Sequence, residues 1–271
     1  MIFELRKAPL KEGAIGVFDS GVGGLTVLQH LLKDLPNESF IYFGDTARLP
    51  YGEKSPEAIL RYSMEGANFL YGKNIKMLVV ACNTASAYAL EKLQESFDIP
   101  VVGVIDPGAE HAVQVSLTGH IAVLGTKATI KSQAYQKTIL QKNPTARVLP
   151  IACPLLVPLV EENYAEHPAA ELIIRDYLKS LKEHQIDTIL LGCTHYPLLK
   201  KLICKEAGEE VSVIDSADAC AEKVRNILNA HKLNSTSLSY EHKYYVSDDP
   251  QKFQALGRSL LGIPIRDVEL I

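Results

Sequence analysis

Four short apolar runs, AIGVF (14–18), FIYFG (40–44), MLVVA (77–81) and PVVGV (100–104), punctuate the first part of the chain. Each reads as a strand buried on both faces. Between the first two, Leu28, Leu31, Leu32 and Leu35 recur at three- and four-residue spacing and mark a helix. Ser55-Pro56 reads as an N-cap followed by a proline at the first helical position. Leu60, Met64, Ala67 and Tyr71 give that second helix an apolar stripe. A β-α-β-α order of this kind predicts parallel strands with helices packed on the sheet faces.

The second half repeats the plan. HIAVLGTKATI (120–130) matches AIGVFDSGVGG (14–24), ARVLPIACP (146–154) echoes SFIYFGDTA (39–47), and TILLGCTHY echoes LVVACNTAS, at offsets of 106, 107 and 111 residues. The fold class expected is therefore α/β, with two similar domains, each a mainly parallel sheet flanked by helices, related by a pseudo-two-fold with the active site in the cleft between them. The join falls near Asp106-Pro107-Gly108, a helix start or turn. VSVID (211–215) is followed by a helix marked by Ala221, Val224, Ile227 and Leu228. YYVS (244–247) and a helix started by Asp249-Pro250 extend past the second copy and return to the first domain as an edge strand and its cover. The expected domains are 1–106 plus 217–271, and 107–216.

Composition narrows the function classes. The chain has 271 residues, 28 Lys plus Arg against 32 Asp plus Glu, and a formal charge of −4. With no long basic run, nothing marks a nucleic-acid or membrane footprint. The opening MIFELRKAPLKEG carries charges throughout and lacks the apolar stretch of a secretory leader. Five cysteines without CxxC pairing suit a reducing compartment better than a disulfide framework. A cytoplasmic location is the expectation.

In open parallel sheets, ligands bind beyond the carboxyl ends of the strands. Three strand ends here carry polar groups: Asp19-Ser20, Cys82-Asn83-Thr84 and Cys193-Thr194-His195. With the domains face to face, Cys82 and Cys193 approach from opposite walls. A thiolate on one face of a substrate carbon can take a proton while a thiol on the other face returns one, inverting a stereocentre without a cofactor. A free thiol titrates near about 8.5, so a base needs some lowering, and each cysteine lies just before a helix start that favours anions. Thr84 or Asn83 is placed to cap the first of those helices. His195 is a candidate to exchange a proton with Cys193, and Asp19 with Cys82.

The turn DSGVGG spaces its glycines as Gly21, Gly23 and Gly24, not as GxGxxG, and Asp19 would repel a phosphate. An ammonium group suits it better. Bland alternatives stand beside each site residue. Free cysteine is often simply buried, Asp caps turns, and Tyr51-Gly52 alone is an ordinary turn. Cys153, Cys204 and Cys220 are read as packing residues. Without CxxC or HxxxH spacing, no metal site is expected.

The stretches DSGVGGLTVL, DTARLPYGEKS, ACNTASA, LGTKATIKSQAY, CPLLVPLVEE, GCTHYPLL and YYVSDDPQKFQALG together resemble the glutamate racemase family, over about residues 14 to 263. The resemblance implies cofactor-independent two-base racemisation of glutamate, supplying D-glutamate for bacterial peptidoglycan. It implies Cys82 and Cys193 as the acid/base pair, with Asp19, His195 and Glu161 assisting. Asp19, Ser20, Tyr51, Gly52, Asn83, Thr84, Thr194 and His195 would hold L- or D-glutamate. A homodimer is an assembly common in the family. Two rival readings remain: a related racemase or decarboxylase acting on another small acid, and a two-domain binding protein without catalysis.

Overall fold

The computed structural model describes residues 12–237, 239–262 and 265–271. The first eleven residues, most of the charged opening, lie outside that description. The chain builds β1 (Ile15–Asp19), α1 (Leu25–Asp34), β2 (Phe40–Gly44), α2 (Pro56–Gly72), β3 (Met77–Val80), α3 (Asn83–Ser96) and β4 (Val101–Gly103). These strands are parallel, in the spatial order β2-β1-β3-β4, and every residue in them is buried. Burial on both faces is why the sequence shows continuous apolar runs instead of alternation.

After α4 (Ile105–Val115) come β5 (His120–Gly125), α5 (Lys127–Ser132), α6 (Ala134–Lys142), β6 (Arg147–Ala152), α7 (Leu156–Glu161), α8 (Pro168–Leu178), β7 (Thr188–Gly192), α9 (Lys200–Ala207) and β8 (Ser212–Asp215). Their parallel order, β6-β5-β7-β8, copies the first sheet strand for strand. One register differs from the sequence match. Ile15 pairs with Phe40, whereas Ile121 pairs with Val148, one residue beyond the 107-residue offset.

The chain then returns through α10 (Ser216–His231) to β9 (His242–Val246), α11 (Pro250–Leu261) and β10 (Val268–Leu270). β9 pairs with β2, so it is not the edge strand expected; the three-residue β10 takes the edge instead. So short a strand carries no readable alternation.

The crossings between the sheets fall at β4–α4 and β8–α10. Ile105, Ala109 and Ala112 of α4 pack with Ile121 and Val123 of the second sheet. Cys220, Val224 and Leu228 of α10 pack with Ile15 and Leu28 of the first. Each such fully buried aliphatic side chain contributes about 1.5–3 kcal/mol of apolar burial.

Ser55 caps α2 as expected, its hydroxyl accepting from Ala58 N at 3.3 Å, with Pro56 in the first turn. The buried face of α2 is nevertheless Ile59, Ser63, Gly66, Ala67 and Leu70. The Leu60–Met64–Tyr71 stripe is only half-buried. Small residues set the face because the helix lies close to the sheet: a Cβ at Gly66 would stand 2.5 Å from the Phe18 ring. Cys220 is buried, but Cys204 is exposed on α9 and does not pack.

Candidate active site

Cys82 follows β3 and is itself the N-cap of α3, so neither Asn83 nor Thr84 takes that role. Its sulfur accepts from Ala85 N at 3.5 Å, and its S–H donates to the Ser20 hydroxyl at 3.6 Å. Cys193 holds the matching place after β7. It leads into a single 3₁₀ turn, Tyr196–Leu199, and only then into α9. The helix-start argument therefore applies to Cys82 alone.

The two strand-end loops are joined directly. Thr194 Oγ1 donates to Asp19 Oδ2 at 3.3 Å, and Thr26 Oγ1 donates back to the Thr194 carbonyl at 3.1 Å. Asp19 Oδ1 accepts from Gly21 N at 2.8 Å, fixing the turn. A Cβ on Gly23 would stand 2.4 Å from Thr194 Oγ1 and 2.5 Å from His195 Nδ1, so glycine is what permits this approach. On the opposite rim Gly52 meets Thr126 as closely, at 2.5 Å.

These contacts enclose a cavity of about 30 Å³. Cys82, Asn83 and Thr84 line it from the first sheet, and Cys193, Thr194 and His195 from the second. Ser20, Tyr51 and Gly52 complete the expected set, while Asp19 and Glu161 stand behind that lining. Both thiols are buried, Cys82 at 5% and Cys193 at 7% exposure. Both sulfurs are therefore largely shielded from bulk water.

The electrostatics of the two walls differ. Burial, and then the Asp19 carboxylate, push the Cys82 thiol up to about 12. The lowering expected from the helix start is overridden, since a single N–H does not offset burial beside a negative charge. On the other wall, His195 Nδ1 lies 3.9 Å from Cys193 Sγ and its Nε2 lies 3.0 Å from Glu161 Oε1. Burial opposes the imidazolium, but hydrogen bonds to Cys193 and Glu161 and their charges raise it to about 10. Burial likewise raises the Asp19 carboxyl, opposed by His195 and by the N–H groups of Gly21 and Gly24. Burial pushes Cys153 up, and it stands 0% exposed with its carbonyl receiving Tyr196 OH at 2.8 Å, a packing role. Arg48 pairs with Asp45 and Glu65 and lies over the Tyr62 ring, a structural cluster.

Some lining residues carried no expectation. Thr126 stands after β5 as Ser20 stands after β1, so the internal repeat pointed to it. Its hydroxyl forms a triangle with those of Thr84 and Thr129, each pair 3.0 Å apart. Leu49, Pro50 and Val157 close the apolar side. Among the described residues, no group of three or more His, Cys, Asp or Glu side chains is placed to hold a metal, and no helix is long and apolar enough to cross a membrane.

Two matched α/β sheets thus place a thiol at the same strand end of each, both facing one cavity. A family model described as Asp/Glu/Hydantoin racemase matches residues 19–224. A curated glutamate racemase of Geobacter metallireducens is 54% identical over 256 residues, 94% of this chain and 95% of the relative. The crystal structure of a glutamate racemase isoform from Bacillus anthracis superposes with a TM-score of 0.93 at 40% identity, covering 97% of this chain and 98% of that one. Glutamate racemase from Francisella tularensis in complex with D-glutamate superposes at 0.91 with 38% identity, again over 97% and 98%. The chain belongs to the Asp/Glu/hydantoin racemase family and, within it, to the glutamate racemases.

Proposed function

We propose that this chain interconverts L- and D-glutamate without a cofactor, supplying D-glutamate for peptidoglycan in the cytoplasm, with Cys82 and Cys193 as the two acid/base groups. The observation that carries the reading is the placement of both thiols in one small buried cavity, each from the matching strand end of its own sheet. The division of the chain follows the same logic: the described residues within 1–106 and 217–271 form one unit and 107–216 the other.

One thiolate removes the Cα proton of the bound amino acid, and its electron pair passes into the α-carboxylate. The opposite thiol delivers its own proton to the other face. The sulfurs exchange protonation states, and the reverse reaction restores them. Cys82 rests as the thiol, given its burial beside Asp19. His195, backed by Glu161, is within reach to exchange a proton with Cys193.

Two thiols alone do not account for the rate, because general acid–base catalysis supplies only about 10²–10⁴-fold. The remainder comes from positioning and from the water-excluding enclosure. The hydroxyls of Ser20, Thr84 and Thr194 and the amide of Asn83 are placed to hold the α-carboxylate where charge develops. Asp19 supplies the negative charge that suits the α-ammonium. A cavity of about 30 Å³ holds no more than a few waters. Admitting an amino acid therefore requires this space to widen.

Optical rotation of L-glutamate and L-aspartate, followed side by side with purified protein, tests the substrate. Decay of the glutamate signal alone is expected. Decay of the aspartate signal alone would overturn the assignment.

A further inference from the structure

Asn83 sits one residue after Cys82, is 3% exposed and lines the cavity. Its two amide atoms have different fates. Oδ1 accepts a 2.6 Å hydrogen bond from Tyr135 OH, whereas Nδ2 is buried without a hydrogen-bond partner in the protein. Tyr135 comes from α6, on the far side of the sheet boundary, and its ring is 2% exposed. At 2.6 Å the contact is shorter than an N–H donor gives and suits an O–H donating to the amide oxygen.

A primary amide is ambiguous: rotated by half a turn, it would offer the cavity an acceptor in place of a donor. A phenol that donates to Oδ1 removes that ambiguity. A buried, unpaired N–H₂ is destabilising, so a structure that keeps one beside its cavity has a use for it. We infer that Tyr135 is a positioning residue for racemisation: by donating to Asn83 Oδ1 it fixes the amide so that Nδ2 faces the cavity as a donor for a substrate carboxylate. The proton source and the amide belong to different units, so the orientation is complete only when the two are together. This inference rests on the glutamate racemase reading.

The test is a double-mutant cycle on kcat/KM with L-glutamate, using wild type, Tyr135→Phe, Asn83→Ala and the double variant. Phenylalanine keeps the buried ring, so melting temperatures and circular dichroism of Tyr135→Phe should match wild type. Loss of one oriented hydrogen bond predicts about a ten-fold fall in kcat/KM for Tyr135→Phe. In the Asn83→Ala background the same change should add less than about two-fold, because a residue acting only through Asn83 has nothing left to position. Wild-type kcat/KM for Tyr135→Phe, or losses that multiply in the double variant, would overturn the inference. A wild-type chain inert toward glutamate would instead overturn the activity reading, and this inference with it.

Discussion

His195 stands between two groups of opposite demand: its Nδ1 lies 3.9 Å from Cys193 Sγ, and its Nε2 lies 3.0 Å from Glu161 Oε1. Cys82, at the matching place in the other sheet, meets the Ser20 hydroxyl and an amide N–H instead. The repeat therefore delivers two thiols in equivalent positions but in unlike company. That difference favours the protonated imidazole on one wall and the protonated thiol on the other.

Replacing Glu161 by Gln removes the carboxylate that helps raise His195 to about 10 from its ordinary 6.5. The imidazolium should then lose its proton at lower pH, and the basic limb of the kcat/KM profile should move down. Because the folded state binds this proton more tightly, its contribution to stability is complete below about pH 6.5 and fades as pH rises through about 10. A profile unchanged in Glu161→Gln would show that the carboxylate does not govern the imidazole.

Cys82→Ser and Cys193→Ser should each lower racemisation by at least about 10²-fold while leaving the melting temperature near wild type. The two enantiomers have equal free energy, so each variant must reduce kcat/KM by the same factor in both directions. Full activity in either single variant would remove the two-thiol assignment.

Gly23→Ala tests the contact between the loops. The new methyl would overlap Thr194 and His195, both held by other partners, at 2.4–2.5 Å. Overpacking of this kind costs about 1–3 kcal/mol. Activity should fall with it, since His195 cannot keep its place. An unaltered kcat with unaltered stability would mean that the loops are not in register as described.

A structural prediction concerns Lys76. Its buried ammonium lies 2.6 Å from Glu38 and donates to the Leu233 carbonyl at 2.7 Å, anchoring the segment after α10 to the first sheet. Lys76→Met should cost about 3–5 kcal/mol in urea unfolding, because it strands a buried carboxylate. A loss under about 1 kcal/mol would show that Glu38 is neutralised some other way.

What the sequence could disclose followed from locality. The strands and the two cysteine turns are short, contiguous patterns, and the repeat that relates them survives in the strand orders β2-β1-β3-β4 and β6-β5-β7-β8. The buried face of α2 is not legible in the sequence because it is set by how near the helix lies to Phe18, not by the largest residues. The state of Cys82 is not legible in the sequence because it depends on burial and on Asp19, which the pairing of β1 with β3 brings beside it. Tyr135 closes the stretch LGTKATIKSQAY, but its role is not legible there, since its partner Asn83 is 52 residues away on another element. Thr126 is legible in the repeat, through its place after β5 that matches Ser20 after β1.

The most direct test of the central claim is proton NMR of L-glutamate, and separately of D-glutamate, with purified protein in D₂O and no added cofactor. The account expects the Cα–H signal to disappear from both as solvent deuterium is incorporated, with the opposite enantiomer forming in each case. A Cα–H signal that persists while glutamate binds would contradict it.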